Sequence, residues 1–179
     1  ISDFSKLLKQ EASRIPSGQH ALDKEYYSRI EAVQFSMAHD DGKKISDIDK
    51  SDVILVGVSR TSKTPTSIYL ANRGYKVSNI PIIPNKSLPE TLLKSYKKTF
   101  VVGLVCDANR LLDVRRNRIQ SIHEESSNNY TNEEEILSEL ESSKKIFKKY
   151  NWPIIDVTRK SVEETAASII KTLDILNSK

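Results

Sequence analysis

The chain has 179 residues, 37% of them hydrophobic and 29% charged, with a formal net charge of +4. That length supports one domain burying about 70% of its unfolded surface without a disulfide or metal staple, and the single cysteine, Cys106, excludes an internal disulfide and a cysteine-based zinc site. Acidic and basic residues are mixed rather than gathered into a basic stripe with interleaved aromatics, which argues against a nucleic-acid surface. No apolar run approaches the roughly 18 residues of a membrane span and no signal-peptide pattern opens the chain, so a soluble, cytoplasmic protein is expected.

Residues 1–20 are polar and broken by Pro16 and Gly18, and they read as a connector or the remnant of a preceding domain, with the domain proper over 21–179. The start at Ile1, without an initiator methionine, reads as a fragment or a processed form. From Leu22, apolar residues recur at Tyr26, Ile30, Val33 and Met37, which predicts a helix with that face buried. His39-Asp40-Asp41-Gly42 then predicts a loop. Strands are predicted at Val53–Val56, Lys76–Ile80, Phe100–Val105 and Ile154–Val157, alternating with helical patterns. Alternation of this kind favours an α/β fold, a three-layer P-loop-type, mostly parallel sheet with helices on both faces.

Helix starts are marked by three capping-box patterns, Ser87 with Glu90, Thr131 with Glu134, and Ser161 with Glu164, in which hydroxyl and carboxylate satisfy each other's backbone donors. Ile136, Leu140, Phe147 and Tyr150 share one side of the helix after Thr131, while Ala166, Ile169, Ile170 and Leu173 share one side of the last, and both sets read as core. Cys106, closing the apolar run from Phe100, reads as a small buried hydrophobe rather than a nucleophile. Residues 123–130 are polar and aperiodic, and they read as a solvated connector in preference to a lid.

The most informative stretch is Gly57-Val58-Ser59-Arg60-Thr61-Ser62-Lys63-Thr64, directly after the first predicted strand. It has the spacing of a phosphate-binding loop, with Ser62 where the second glycine of that pattern stands. Gly57 is expected to let the backbone leave the strand sharply, and Ser62 to line the loop if its backbone angle is not strongly positive. Successive N–H groups and a helix N-terminus would face an anion, Lys63 would add a compact positive charge, and Thr64 would offer its hydroxyl to magnesium.

Ligands of a doubly wound sheet bind beyond the carboxyl ends of its strands. Asp107, just past the third strand, is therefore a candidate magnesium ligand, and equally a candidate N-cap for the helix that follows. Asp156, with Arg159 nearby, is a weaker candidate of the same kind. Arg110, Arg115, Arg116 and Arg118 form either a phosphate-neutralising group or a solvated helix face. His39, Asp40 and Asp41 combine an imidazole and two carboxylates, which suits a general base or a magnesium site but also ordinary turn chemistry.

Several longer stretches carry a closer likeness. They are residues 26–32 (Tyr-Tyr-Ser-Arg-Ile-Glu-Ala) with His39-Asp-Asp-Gly42; residues 52–66, including Gly-Val-Ser-Arg-Thr-Ser-Lys-Thr-Pro-Thr; Gly74-Tyr-Lys-Val77; Val102-Gly-Leu104 with Asp107 and Arg110-Leu-Leu112; and Trp152-Pro-Ile-Ile-Asp-Val-Thr158. On these residues the chain resembles the regulatory kinase/phosphorylase family of pyruvate, phosphate dikinase and phosphoenolpyruvate synthase, from about residue 17 to the end. The family's N-terminal portion has no counterpart here.

The resemblance implies an unusual pair of reactions. ADP donates its β-phosphoryl group to a threonine of the dikinase or the synthase, switching it off and leaving AMP. Inorganic phosphate then removes the group as pyrophosphate. Gly57 to Thr64 would hold the phosphates, Lys63 and Arg60 would neutralise the transferring group, and magnesium would sit on Thr64 and Asp107. Asp107, then Asp40 or Asp41, would be the base. The motifs do not separate the two partner enzymes, and a homo-oligomer is compatible with them. Two rival readings are a conventional ATP-dependent P-loop kinase of a small metabolite and a non-catalytic nucleotide sensor.

Overall fold

The computed structural model describes Lys9 and residues 24–84, 86–95, 99–122 and 128–178. Residues 10–23 and 123–127, and with them most of the expected connector and most of the expected loop before Tyr130, lie outside the described residues.

Strands β1 (Val53–Gly57), β2 (Val77–Pro81), β3 (Phe100–Val105) and β4 (Ile154–Asp156) form one sheet in the order β2-β1-β3-β4. Every pairing is parallel, with Val53 opposite both Val77 and Phe100 and Gly103 opposite Ile154. Each strand falls within a residue of its expected position. For β1 and β3 the reason is the continuous apolar run of a strand buried on both faces: all of β1 is buried, as is β3 from Val101 onward.

The helices are α1 (Lys24–Ala38), α2 (Lys63–Ala71), α3 (Glu90–Ser95), α4 (Ala108–Ile122), α5 (Glu133–Lys149) and α6 (Val162–Asn177), with 3-10 turns at Asp40–Gly42, Ile48–Lys50 and Asn128–Thr131. Helix α2 packs against α1 and α6, whereas α4 and α5 pack on each other and α5 lies against β3. The chain leaves β1 toward β2 and returns to the far side of β1 for β3. The carboxyl ends of β1 and β3 therefore flank the switch point at which such sheets bind ligands. Among the described residues no helix is long and apolar enough to cross a membrane.

Three local expectations need correction. Helix α1 exists, but its buried residues are Ala32 and Ser36, while Tyr26, Ile30 and Met37 are exposed. The cause is the exposed edge of β2, whose donors α1 and its continuation satisfy: Ser36 Oγ accepts from Val77 N at 2.9 Å and His39 O accepts from Asn79 N at 3.0 Å. A small polar residue reaches that edge where a bulky apolar one could not bond to it. Helix α5 is capped by Asn132, whose side chain accepts from Glu134 N and Glu135 N, not by Thr131, and α3 begins at Glu90, leaving Ser87 outside its first turn. The third pattern holds, and Ser161 and Glu164 form a reciprocal capping box.

Phe147, Leu140 and Ile136 of α5 and Ala166 and Ile169 of α6 enter the core as expected, and Cys106 is buried. Burial pushes the Cys106 thiol up to about 11, with nearby Asp156 adding to the effect, so it stays protonated and inert at neutral pH. The closest backbone approach in this layer is at Gly103, where a Cβ would lie 2.5 Å from Cδ2 of Phe147. We therefore expect Gly103→Ala to lower stability by about 1–3 kcal/mol through overpacking, read from the urea midpoint. A second change, Phe147→Leu, should recover part of the loss.

Candidate functional site

The site begins where β1 ends. A Cβ on Gly57 would lie 2.7 Å from Leu104 O and 2.8 Å from Thr61 Oγ1. Its φ is not positive, since the only glycines with positive φ among the described residues are Gly42 and Gly74. Gly57 is thus required for close approach of the loop to β3, and the turn itself is made elsewhere. It is made by Arg60 (φ 72°) and Ser62 (φ 58°), both left-handed. Ser62 therefore lines the loop at a positive angle, and the condition set for a serine there is not met. Each such non-glycine residue costs about 1–3 kcal/mol, and strain of this kind persists where surrounding contacts over-determine the backbone.

Those contacts converge on one carbonyl. Thr61 Oγ1 donates to Val58 O at 2.9 Å and Lys63 Nζ donates to the same oxygen at 2.8 Å, both buried. Among the described residues, the backbone N–H groups of Ser59, Arg60, Ser62, Lys63 and Thr64 meet no protein acceptor. Unpaired donors curled around a helix N-terminus make an anion nest.

Two aspartates flank this nest from the other side. The 3-10 turn Asp40–Gly42 turns back through Asp41 (φ 55°) and Gly42 (φ 71°). It sets Asp40 Oδ1 to accept from Thr64 Oγ1 at 2.9 Å and from Asn79 Nδ2 at 2.6 Å, while Asn79 Nδ2 lies 3.1 Å from Thr64 Oγ1. His39 sits behind the turn, 1% exposed, stacked on Phe35 and bridging Phe35 O and Asp47 Oδ1. Its ring is committed to holding the turn, so it does not reach the nest. Hydrogen bonds from Lys44 and His39 in turn hold the Asp47 carboxyl well below the usual carboxylate range.

A cleft of about 320 Å³ opens between these parts, lined by Asp41, Arg60, Lys63, Thr64 and Asn79 among others. It adjoins a second hollow of about 400 Å³ that shares Asp41 and Ser59 and extends to Arg115, Tyr130 and Glu139. Burial pushes the Lys63 ammonium down to about 8, opposed by Asp41 and Asp40 and assisted by Arg115 and Arg60.

Most of the candidates meet here. Lys63, Arg60, Thr64, Ser59, Ser62 and Asp41 line the cleft, Asp40 stands behind Thr64, and Gly57, Val58 and Thr61 shape the loop. Asp107 does not join them: its Oδ1 accepts from Asn109 N at 2.9 Å and Arg110 N at 3.3 Å, the N-cap alternative, and its own N–H donates to Thr158 Oγ1. Asp156 is held by the Thr158 hydroxyl and N–H, which lower its pKa, so it braces the end of β3. Of the four arginines, Arg110, Arg116 and Arg118 are exposed. Arg115 is 1% exposed, with Nη2 donating to Glu139 Oε2 at 2.6 Å, Nη1 to Tyr130 O at 3.2 Å, and its guanidinium 4.6 Å from the Tyr130 ring centre. The Tyr130 hydroxyl reaches Ser59 Oγ at 3.3 Å.

Asn79, Tyr130 and Glu139 were not anticipated. Asn79 left a trace, a polar residue inside a strand buried on both faces. Tyr130 and Glu139 left none, because their part depends on α4 and α5 lying side by side.

Fold and site define a phosphate-loop α/β protein. The family model described as kinase/pyrophosphorylase matches residues 1–170, and the chain belongs to that family. The match begins ahead of residue 17, where the motif likeness starts. Relatives with the provisional name pyruvate, phosphate dikinase regulatory protein include those of Pelagibacter ubique, 62% identical over 98% of this chain, and Sinorhizobium medicae, 52% identical over 95%. A third, from Sphingopyxis alaskensis, is 49% identical over 96% of the chain. The chain spans 64%, 62% and 63% of the lengths of these three relatives, respectively.

The nest also makes a pH-dependent prediction. Sulfate is a dianion whose own charge is constant above neutrality, and its binding should weaken as pH rises through about 8, where Lys63 loses its proton. A titration at pH 7 and pH 9 checks this. Lys63→Arg should retain at pH 9 most of what it binds at pH 7, because a guanidinium stays charged.

Proposed function

We propose that the protein is a bifunctional regulator of pyruvate, phosphate dikinase or phosphoenolpyruvate synthase, transferring the β-phosphoryl group of ADP to a threonine and removing it again with inorganic phosphate. The observation that carries this reading is the convergence of an unpaired N–H nest, Lys63, Arg60 and Asp41 on one cleft at the switch point, with Asp40 behind Thr64. Membership of the kinase/pyrophosphorylase family and the names of the relatives support the same reading.

In the forward direction the threonine oxygen bonds to the β-phosphorus of ADP. The bond from that phosphorus to the bridging oxygen breaks, AMP leaves with the electron pair, and the hydroxyl proton passes to a carboxylate. Asp41 lines the cleft with no hydrogen-bond partner among the described residues, and is placed to take that proton. In reverse, a phosphate oxygen attacks the phosphothreonine phosphorus, the phosphorus–threonine bond breaks, the threonine oxygen regains a proton, and pyrophosphate forms. Both directions place negative phosphoryl oxygens over the same nest, so one set of donors serves both.

Lys63 supplies a compact charge beneath the nest. Arg60 is exposed at the cleft with no hydrogen-bond partner among the described residues, and its fork can close on a phosphoryl oxygen. The residues also suit magnesium: Thr64 Oγ1 and the Asp40 carboxylate are adjacent, and Asn79 Oδ1 beside them is buried without a partner. Bound there, magnesium would neutralise charge on the phosphates.

The test uses ADP labelled at the β-phosphate with purified dikinase and synthase. Label should appear on a threonine of one of them and leave as pyrophosphate on addition of phosphate. Label donated from ATP to a small metabolite would point instead to a conventional kinase, and tight nucleotide binding without transfer to a sensor. In the same assay Arg60→Ala should lower transfer about 10²-fold or more, the scale of losing one charge-stabilising donor, while the thermal midpoint changes little.

A further inference from the structure

In a phosphate-loop enzyme, the carboxylate that serves the metal is expected just past the strand beside β1, and here that position is Asp107. The structure engages Asp107 otherwise. Its Oδ1 caps α4, its N–H is held by Thr158, and it makes no hydrogen bond with Thr64.

The carboxylate that touches Thr64 arrives from the opposite side of β1, from a 3-10 turn preceding that strand and lodged against β2. Three observations make this more than two acids side by side. The Thr64 hydroxyl donates to Asp40 Oδ1 and receives a hydrogen from Asn79 Nδ2, so one of its two lone pairs is left over. Asp40 Oδ2 meets no protein donor among the described residues, because both hydrogen bonds to this carboxylate fall on Oδ1. Asn79 is 1% exposed, borders the cleft, and leaves its Oδ1 without a partner. Buried polar atoms are rarely left without a partner, so a group that engages it is called for.

We infer that Asp40, not Asp107, is the carboxylate of a divalent-cation site shared with Thr64, and that Asn79 is the positioning residue that orients both and offers its amide oxygen to the cation or to a water on it. This rests on the nucleotide reading above. Among the described residues, no three His, Cys, Asp or Glu side chains cluster as a protein-only cage. Such a cation would therefore be held jointly with nucleotide phosphate, the mode that magnesium favours. The arrangement also accounts for Asp41 and Gly42 both lying in the left-handed region. That tight reversal aims Asp40 at Thr64 while Asp41 faces Lys63.

The experiment is a Mn²⁺ titration followed by electron paramagnetic resonance, in the presence of ADP, with ADP affinity in EDTA measured in parallel and circular dichroism as the control for folding. Asp40→Asn and Thr64→Val should each weaken Mn²⁺ binding by about tenfold or more, while Thr64→Ser and Asp107→Asn leave it unchanged and all four keep the circular dichroism spectrum of the folded wild type. Loss of Mn²⁺ affinity in Asp107→Asn, or none in Asp40→Asn, would overturn the assignment. Wild-type protein that binds ADP identically with and without Mn²⁺ would overturn the cation site and leave the nucleotide reading standing. Protein that binds no ADP under either condition would overturn that reading and this inference with it.

Discussion

The carbonyl of Val58 accepts from Thr61 Oγ1 and from Lys63 Nζ, and the form of the whole site follows from that shared acceptor. Drawing both donors inward compels the backbone between them to reverse, which it does through left-handed Arg60 and Ser62. The reversal turns the remaining N–H groups of the loop outward. It also buries the lysine, whose proton is loosened by desolvation and steadied by Asp41 and Asp40. Gly57 permits this by letting the loop lie on β3 at a distance no Cβ could tolerate. A strained backbone, a buried ammonium and an array of unpaired donors would each be unfavourable alone, and an anion satisfies all three together.

Two supports hold the loop, and they differ in kind. On the β2 side the turn after α1 is fixed by neutral and charged hydrogen bonds: Ser36 to the strand edge, His39 between Phe35 and Asp47, and Asn79 to Asp40. On the α4 side the support is a buried ion pair, Arg115 with Glu139, covered by the Tyr130 ring whose hydroxyl touches Ser59. Buried pairs of this kind contribute little net stability, yet removing one partner leaves a costly unpaired charge. Arg115 is thus engaged by Glu139 and Tyr130 while its charge is still felt by Lys63.

The core elements were legible because their signal is local. Val53 to Val56 and Phe100 to Val105 are apolar throughout, as strands covered on both faces usually are. Helix α5 shows its inner face at helical spacing through Ile136, Leu140 and Phe147. Helix α1 misled for a physical reason: its bulky residues at Tyr26, Ile30 and Met37 make the more apolar stripe, but the sheet edge needed a hydroxyl and selected Ser36. Spacing reports which face is greasier, and what a face must bond to lies elsewhere in the chain.

The site divides in the same way. The order of residues from Gly57 to Thr64 was enough to locate the nest, the lysine and the threonine, because a loop of eight consecutive residues carries its own geometry. Residue order alone left Asp107 poised between cap and ligand, and Asp40 and Asp41 between a base or magnesium site and ordinary turn chemistry. Tertiary structure alone brings a turn from before β1, a buried asparagine from β2 and the threonine of α2 within 3.1 Å of one another, while Asp107 caps its own helix. Such a meeting depends on strand order and on one turn's handedness, which are properties of the folded chain rather than of any stretch of it.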